Sequence, residues 1–510
     1  MRYENPVLPG LHPDPSICRV GETFYLATSS FEYFPGIPLY RSTNLVDWEP
    51  IGHALTRDSQ IPLEGADSSG GIFAPTLRHH DGTFYLASTN VSADGNFVVS
   101  ASDPAGEWSD PTWVDAPGID PDLFWDIDGP ESDGESDATC YFTYFTDDPE
   151  RGIEQAEFDP ETGELGPAHT IWSGFEDPYA EAPHLYERDG AYYLVVAEGG
   201  THTGHMVVVA RADDPTGPYE PYPDNPILTQ RSDARSEIKG TGHADLVTDD
   251  AGNWWLVCLG FRQVGAFPSC HHLGRETFLV PVTWEDGWPV VADCDVSTPA
   301  MDAPLPGERQ DSTTSIHYTD TEFADGFGAE WNFRRNPERD RYDTDTDGLV
   351  LWGGPERLDE PGATFVGRRQ TAFDCQARAR ITFDPDSHEE AGLAVFLDEA
   401  HHYQIGITSV DDERTALVRL RIGDAIQVVG RSPVAETATL EVRACEDSTA
   451  DYQFFADGEQ LGSASARYVS SEVASGFTGV YLGLYATGHG EPAETPAQVE
   501  RFVYESSDDA

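Results

Sequence analysis

Five times in its first 300 residues the chain repeats one short pattern: a strand, a tight turn and a second strand of apolar, β-favouring residues. The second strands are Thr23–Ala27, Thr83–Ala87, Cys140–Tyr144, Ala191–Val195 and Asn253–Val257. Four of them follow closely on a glycine-containing turn, at Gly21-Glu22, Asp81-Gly82, Asp189-Gly190 and Ala251-Gly252. The third follows Asp128-Gly129 only after an inserted acidic loop, Pro130 to Asp137. Upstream of each turn a first strand opens, at Asp14-Pro15, Ala74-Pro75, Asp120-Pro121, Ala182-Pro183 and His243-Ala244, spaced by 60, 46, 62 and 61 residues. That spacing suits one four-stranded sheet per repeat and so predicts a five-bladed β-propeller over residues 1–300. Long amphipathic helical segments are missing between the repeats, which excludes a parallel α/β fold with its crossover helices.

A chain of 510 residues exceeds one ordinary domain, and the texture changes near Val296. Pro299, Pro304, Pro306 and the run Asp311 to Ser315 read as a linker, assigned to 301–322. From 323 to 507 short alternating strands such as Ala377–Phe383 and Ala416–Ile422 predict a β-sandwich. The fold class expected is therefore all-β, a propeller followed by a sandwich, with Ser506–Ala510 as a frayed tail.

Seven cysteines are scattered, mostly in apolar runs and never as a C-x-x-C pair, so buried thiols rather than disulfides are expected, and with them a reducing, cytoplasmic setting. Signal-peptide and membrane-spanning patterns are not visible, so no membrane association is expected. Acidic residues number 91 against 30 basic ones, a formal net charge of −61, and Lys239 is the single lysine. Such a surface disfavours nucleic-acid and anionic-membrane partners. Hydrophobic residues at 39% and aromatics at 11%, spread through the chain, separate it from acidic disordered proteins. Self-repulsion of this size reads as adaptation to high salt.

In a propeller the first strand of each blade lines the axis, so equivalent positions of different repeats meet although they are distant in sequence. Here those positions hold Asp14, Phe73-Ala74, Asp120, Glu181-Ala182 and His243. Three carboxylates gathered at the end of a tunnel meet the needs of glycoside hydrolysis, which uses a proton donor for the leaving oxygen and a base or nucleophile at the anomeric carbon. Mutual repulsion keeps one carboxyl protonated near neutrality. Calcium binding is the competing use of clustered carboxylates, but the three come from different blades and no D-x-D-x-D-G loop is present. Cys270-His271-His272 and His202-x-x-His205 read as pocket rim or loop rather than transition-metal sites. Gly199-Gly200-Thr201 lacks the strand, lysine and helix of a phosphate loop.

At these residues the sequence resembles glycoside hydrolase family 43, and within it the two-domain β-xylosidases. The resemblance is carried by Asn5-Pro6-Val7-Leu8, His12-Pro13-Asp14-Pro15-Ser16-Ile17, Thr28 to Gly36, Gly118-Ile119-Asp120-Pro121, Glu181 to Tyr186, Gly240 to Val247 and Leu273-Gly274-Arg275-Glu276-Thr277. In the second half it continues through Trp331 to Pro337 and Val366 to Gln370. It implies an inverting, exo-acting hydrolase that releases xylose from β-1,4-xylo-oligosaccharides. Asp14 would be the general base, Glu181 the general acid and Asp120 the carboxylate that raises and orients the acid. An inverting pair stands about 6.5–9.5 Å apart to admit a water. The resemblance further implies that Arg275 contacts substrate, that Phe31 walls the sugar pocket, and that Phe73 stands where many relatives carry tryptophan. His243 matches an axial histidine that in several members sits beside a central divalent ion, commonly Ca2+ and largely coordinated by water, although a neutral imidazole is a poor calcium ligand. A required cofactor is not implied, and a homo-oligomer is left open. Three rival readings are α-L-arabinofuranosidase activity, a retaining fructosidase-type propeller and a non-catalytic carbohydrate-binding propeller.

The charge balance generates the first prediction. Lowering salt from molar to about 0.1 M lengthens electrostatic screening to about 10 Å and exposes the self-repulsion of the surface. Thermal unfolding followed across that range should show the melting temperature falling with salt; a constant value contradicts the reading.

Overall fold

Each repeat closes into an antiparallel sheet of at least four strands in the computed structural model. The structure describes residues 2–507 apart from 128–137, 147, 149–151, 177–178, 233–234, 266–267, 292–299, 303–304, 308–315 and 446–450. The acidic insertion Pro130 to Asp137, Cys294, Pro299, Pro304 and the run Asp311 to Ser315 lie outside the described residues.

The first strands of the five blades, Ser16–Val20, Thr76–His80, Ile119–Asp126, Glu181–Arg188 and Ile238–Thr248, surround the axis. The expected hairpins form. Asp81 and Gly82 (φ 45° and 75°) and Asp189 and Gly190 (φ 55° and 79°) place both central residues at positive φ, the geometry that matches the twist of the flanking strands. Alternation along each strand lets every sheet bury both faces. One apolar cluster fills each of the five gaps between neighbouring blades, for example Leu39 and Ile37 against Leu77 and Val99, or Val195 and Val209 against Leu246 and Val280.

The ring is sealed at its N-terminus. Arg2–Glu4 pairs with Ala300–Asp302, and Asn5 exchanges hydrogen bonds with the backbone of Leu279 at 2.9 Å in both directions, tying the start of the chain to blade five. Beneath the openings a buried polar hub joins all five blades. Arg78 donates to Asp122 and to Asp245 at 2.8 Å each, Ser16 donates to Asp245 at 2.7 Å, and His184 lies 3.0 Å from Arg78 and 3.2 Å from Asp122. Burial alone would raise the pKa of Asp245, but Arg78 and His184 with several donors hold it far below the usual carboxylate range.

The second half is a sandwich of two eight-stranded sheets. Leu393, Val395, Ile405, Val418 and Leu484 of one sheet meet Ala377, Ile381, Leu440, Phe454 and Phe502 of the other. One sheet is completed by the propeller itself, because Tyr33–Phe34, from the loop of blade one, pairs antiparallel with Asn332–Arg334. The outer face of that sheet presents Ala394, Phe396, Tyr481 and Tyr485 to Leu11, Phe31 and Tyr33. Propeller and sandwich therefore share a core.

Two expectations about the chain's connections change. Within 301–322, read as a linker, Leu305 is buried in the seam between blades one and five, and Ile316–Thr321 pairs with Ala497–Ser507. Ser506, read as part of a frayed tail, is a buried member of the last strand. Both follow from backbone pairing that the local composition of serine, threonine and proline does not announce. Among the described residues Cys18, Cys140, Cys258, Cys270 and Cys375 are buried free thiols. No described helix is long and apolar enough to cross a membrane.

The shared core generates a paired prediction. Tyr33 and Tyr481 stack with centroids 3.9 Å apart, both fully buried, and neither hydroxyl has a hydrogen-bond partner. Tyr33→Ala should cost about 3–5 kcal/mol in denaturant unfolding, as for other large aromatic truncations. Tyr33→Phe should be neutral or stabilising, because the unpartnered hydroxyl contributes no bond. A loss below about 1 kcal/mol for the alanine variant would show that the two domains unfold independently.

Candidate active site

Above the hub, at the same place in four blades, the backbone is held in a conformation that non-glycine residues seldom adopt. Asp14, Asp120, Ala182 and His243 have φ of 54°, 54°, 53° and 49°. In blades three, four and five a bulge accompanies this strain, with the register slipping between Ile119 and Asp122, Glu181 and His184, and Gly242 and Asp245. Bulges re-aim side chains, and strain of this kind persists where surrounding structure enforces it. Glu181 stands one position before the strained residue of its blade, whereas Asp14 and Asp120 are the strained residues of theirs. The acidic side chains thus leave the ring from two different backbone positions.

Asp14 is buried and fully engaged. Its Oδ1 accepts from Arg275 Nη1 at 2.9 Å and its Oδ2 accepts from Ser29 at 2.5 Å, while His243 Nδ1 lies 3.5 Å away. Burial pushes its pKa up, but the charge of Arg275, followed by His243 and the Ser29 bond, overcomes this and leaves the carboxyl below its ordinary value. Asp14 is therefore ionised at neutral pH. His243 is neutral there, because burial takes its pKa down to about 4.

Asp120 has the opposite character. Burial first, then the negative charges of Glu181 and Asp14, pushes its pKa well above the aspartate range, although Ala182 N–H donates to it at 3.2 Å. Asp120 and Glu181 together thus hold a proton to higher pH than an isolated carboxyl would, and they titrate as a pair. Glu181 is the more open member, its side chain 17% exposed against 7% for residue Asp120.

One wall of the site is aromatic. Phe31 and Phe73 meet edge to face at 5.7 Å, and both contact Phe477, a residue of the sandwich, at 6.3 and 6.2 Å. The Arg275 guanidinium lies 5.6 Å from the ring centres of both Phe31 and Phe477 and also donates to Thr201 at 2.9 Å. The Phe477 backbone N–H donates to Ser69 of the propeller at 2.8 Å. The helix just before it is pinned by Glu472, which pairs with His271 at 2.8 Å. His271, read from sequence as a rim residue, therefore holds the sandwich loop in place.

The expected residues thus fall into two contacting groups: Asp14 with Arg275, His243 and the aromatic wall, and Asp120 with Glu181. Sequence reading missed three neighbours. Phe477 belongs to a loop of another domain and has no repeat signal. Thr201 lies in a run dismissed as a phosphate loop. His205, set aside as loop, is fully buried with Nε2 3.9 Å from Glu181 Oε1.

A divalent ion beside His243 would take its ligands largely from water, because the side chains around the imidazole offer few. His243 faces an Asp14 whose two oxygens are occupied by Arg275 and Ser29, and among the described residues no three His, Cys, Asp or Glu side chains are arranged to hold a metal. One ionised carboxylate, a second carboxyl pair that retains a proton, and an aromatic wall with an arginine between them are the parts required for acid–base cleavage of a sugar acetal.

Comparison with known proteins agrees with this chemistry. Residues 3–289 match the description "Glycosyl hydrolases family 43", and residues 320–505 match "Beta xylosidase C-terminal Concanavalin A-like domain". A protein of Bacteroides ovatus named as a non-reducing end alpha-L-arabinofuranosidase is 40% identical over 99% of this chain and 95% of its own. A xylosidase/arabinosidase of Butyrivibrio fibrisolvens is 36% identical over 98% of this chain and 99% of its own. The solved structure of a xylan beta-1,4-xylosidase from Bacillus halodurans superimposes with a TM-score of 0.88 at 31% identity, covering 99% of this chain and all of that one. With the five-bladed propeller, the sandwich and matches that span nearly its whole length, the chain belongs to glycoside hydrolase family 43.

Proposed function

We propose that the protein is an inverting, exo-acting glycoside hydrolase that releases xylose from the non-reducing ends of β-1,4-xylo-oligosaccharides. The observation that carries the reading is the electrostatic division of the site: Asp14 is held ionised by Arg275, whereas Asp120 and Glu181 retain a proton between them. Asp14 takes a proton from a water as that water attacks the anomeric carbon from the face opposite the leaving group. Glu181 gives its proton to the departing glycosidic oxygen. Asp14 ends protonated and Glu181 ionised, and exchange with solvent restores both. Asp120 acts on Glu181 by its charge, and Phe31, Phe73 and Arg275 bind the sugar. The low pKa of Asp14 keeps the base competent into mildly acidic solution.

α-L-Arabinofuranosidase activity is the second reading. It is favoured by the name of the Bacteroides ovatus relative. Initial rates on aryl β-xyloside and aryl α-arabinofuranoside separate the two.

Two tests address the acid and the base. Asp14→Asn should remain folded and lose about 10²–10⁴ in turnover, because a positioned base supplies that much; a drop below about tenfold contradicts the assignment. Glu181→Gln should collapse activity on xylobiose while an aryl xyloside with a good leaving group keeps much more, and equal losses would remove Glu181 as the acid.

Asp120 yields a prediction in pH. With the shared proton on Glu181, the charge left on Asp120 makes its loss less favourable, so Asp120→Asn should let that proton leave at lower pH and move the basic limb of kcat/KM toward acid. A large loss of activity with an unshifted basic limb would make Asp120 a binding or structural residue.

A further inference from the structure

His205 immediately precedes the strand Met206–Ala212 of blade four, at the end of a turn closed by its own N–H donating to His202 O at 3.0 Å. Its ring is fully buried and lies against Gly242, where a Cβ would come within 2.5 Å of three ring atoms. Glycine at 242 is thus the space in which the imidazole fits. Nδ1 lies 3.3 Å from Gly240 O, and a carbonyl can only accept, so this nitrogen carries the hydrogen. Burial, with the neighbouring His243 and Arg275, takes the pKa of His205 down to about 3, so the ring is neutral at working pH. Nε2 is therefore a buried lone pair without a hydrogen-bond partner, and the polar atom it faces is Glu181 Oε1, 3.9 Å away.

We propose that His205 is a positioning residue for the catalytic proton: its Nε2 lone pair receives the O–H of Glu181 and so favours the protonated, correctly oriented carboxyl. An unpartnered buried acceptor carries a desolvation cost that a donor removes. Protonated Glu181 supplies that donor, whereas ionised Glu181 presents only lone pairs to another lone pair. The separation of 3.9 Å is longer than a hydrogen bond, and a contact of this kind closes when substrate tightens the site. Asp120 favours the same protonation state by charge, from the other side of the pair. His205 does so by hydrogen bonding, with Asp14, Arg275 and His243 as the remaining charged or titratable groups around it. The inference rests on the reading of Glu181 as the acid.

Three variants of the full chain test it on xylobiose and on an aryl xyloside with a good leaving group: His205→Phe, His205→Gln and Glu181→Gln. His205→Phe, which keeps a ring but removes the lone pair, should lose about tenfold or more in kcat/KM on xylobiose and within about threefold on the aryl substrate, with the basic limb moved to lower pH. His205→Gln, which offers an amide oxygen, should recover part of both effects. Equal losses on the two substrates with an unshifted basic limb make His205 a packing residue and overturn the proposal. If Glu181→Gln also shows no dependence on leaving group, the acid reading itself has failed; if it shows that dependence and the His205 variants do not, only this inference has. Should the phenylalanine variant not fold, imidazole nitrogen NMR of the native enzyme decides, with the resonance assigned by difference from His205→Gln: a hydrogen on Nδ1 supports the proposal, and one on Nε2 contradicts it.

Discussion

The structure turns on Arg78. Its guanidinium reaches across the axis to Asp122 and Asp245, with His184 and Ser16 completing the contacts, so one side chain from each blade meets at a single buried point. Buried charges are tolerated only where partners satisfy them, and removal of one member of such a set costs about 3–5 kcal/mol. The hub therefore fixes the relative height of the five first strands. Ser16, Asp122, His184 and Asp245 each lie two residues beyond the strained position of their blade, so the height of the hub is the height of the chemistry above it.

Two layers of carboxylates share this axis, and their surroundings separate their behaviour. In the lower layer Asp245 is neutralised by Arg78 and held far below its ordinary pKa. In the upper layer Arg275 does the same for Asp14 alone, leaving Asp120 and Glu181 to repel one another. A chain with 30 basic residues against 91 acidic ones thus places two of its arginines where they decide which acids ionise.

The blades were legible because turn chemistry and strand composition recur at regular distances, and the carboxyl ring because Asp14 and Asp120 stand at the same place in that repeat and Glu181 one residue before it. Four members of the hub could have been found by reading two residues beyond the strand openings at Asp14, Asp120, Ala182 and His243, and Arg78 four beyond Ala74. Phe477 could not, since the sandwich loop that carries it has no periodic relation to the blades. Tyr33–Phe34 was also hidden: a two-residue strand that completes another domain's sheet gives no local signal of its partner. His205 was read as rim or loop and does lie in the loop before a strand, but its burial depends on the empty space at Gly242, 37 residues away in sequence.

Closure of the site by a second domain follows from the shared core, since the sheet that includes Tyr33–Phe34 also positions the loop of Phe477, and that loop meets Phe31 and Arg275. The central claim is that an ionised Asp14 activates water against a bond whose leaving oxygen is protonated from the opposite side. The anomer released in the first turnovers reports this directly. Proton NMR of xylobiose hydrolysis, followed faster than mutarotation, should show α-xylose from the non-reducing end; initial release of β-xylose would mean a covalent sugar intermediate and would contradict the account.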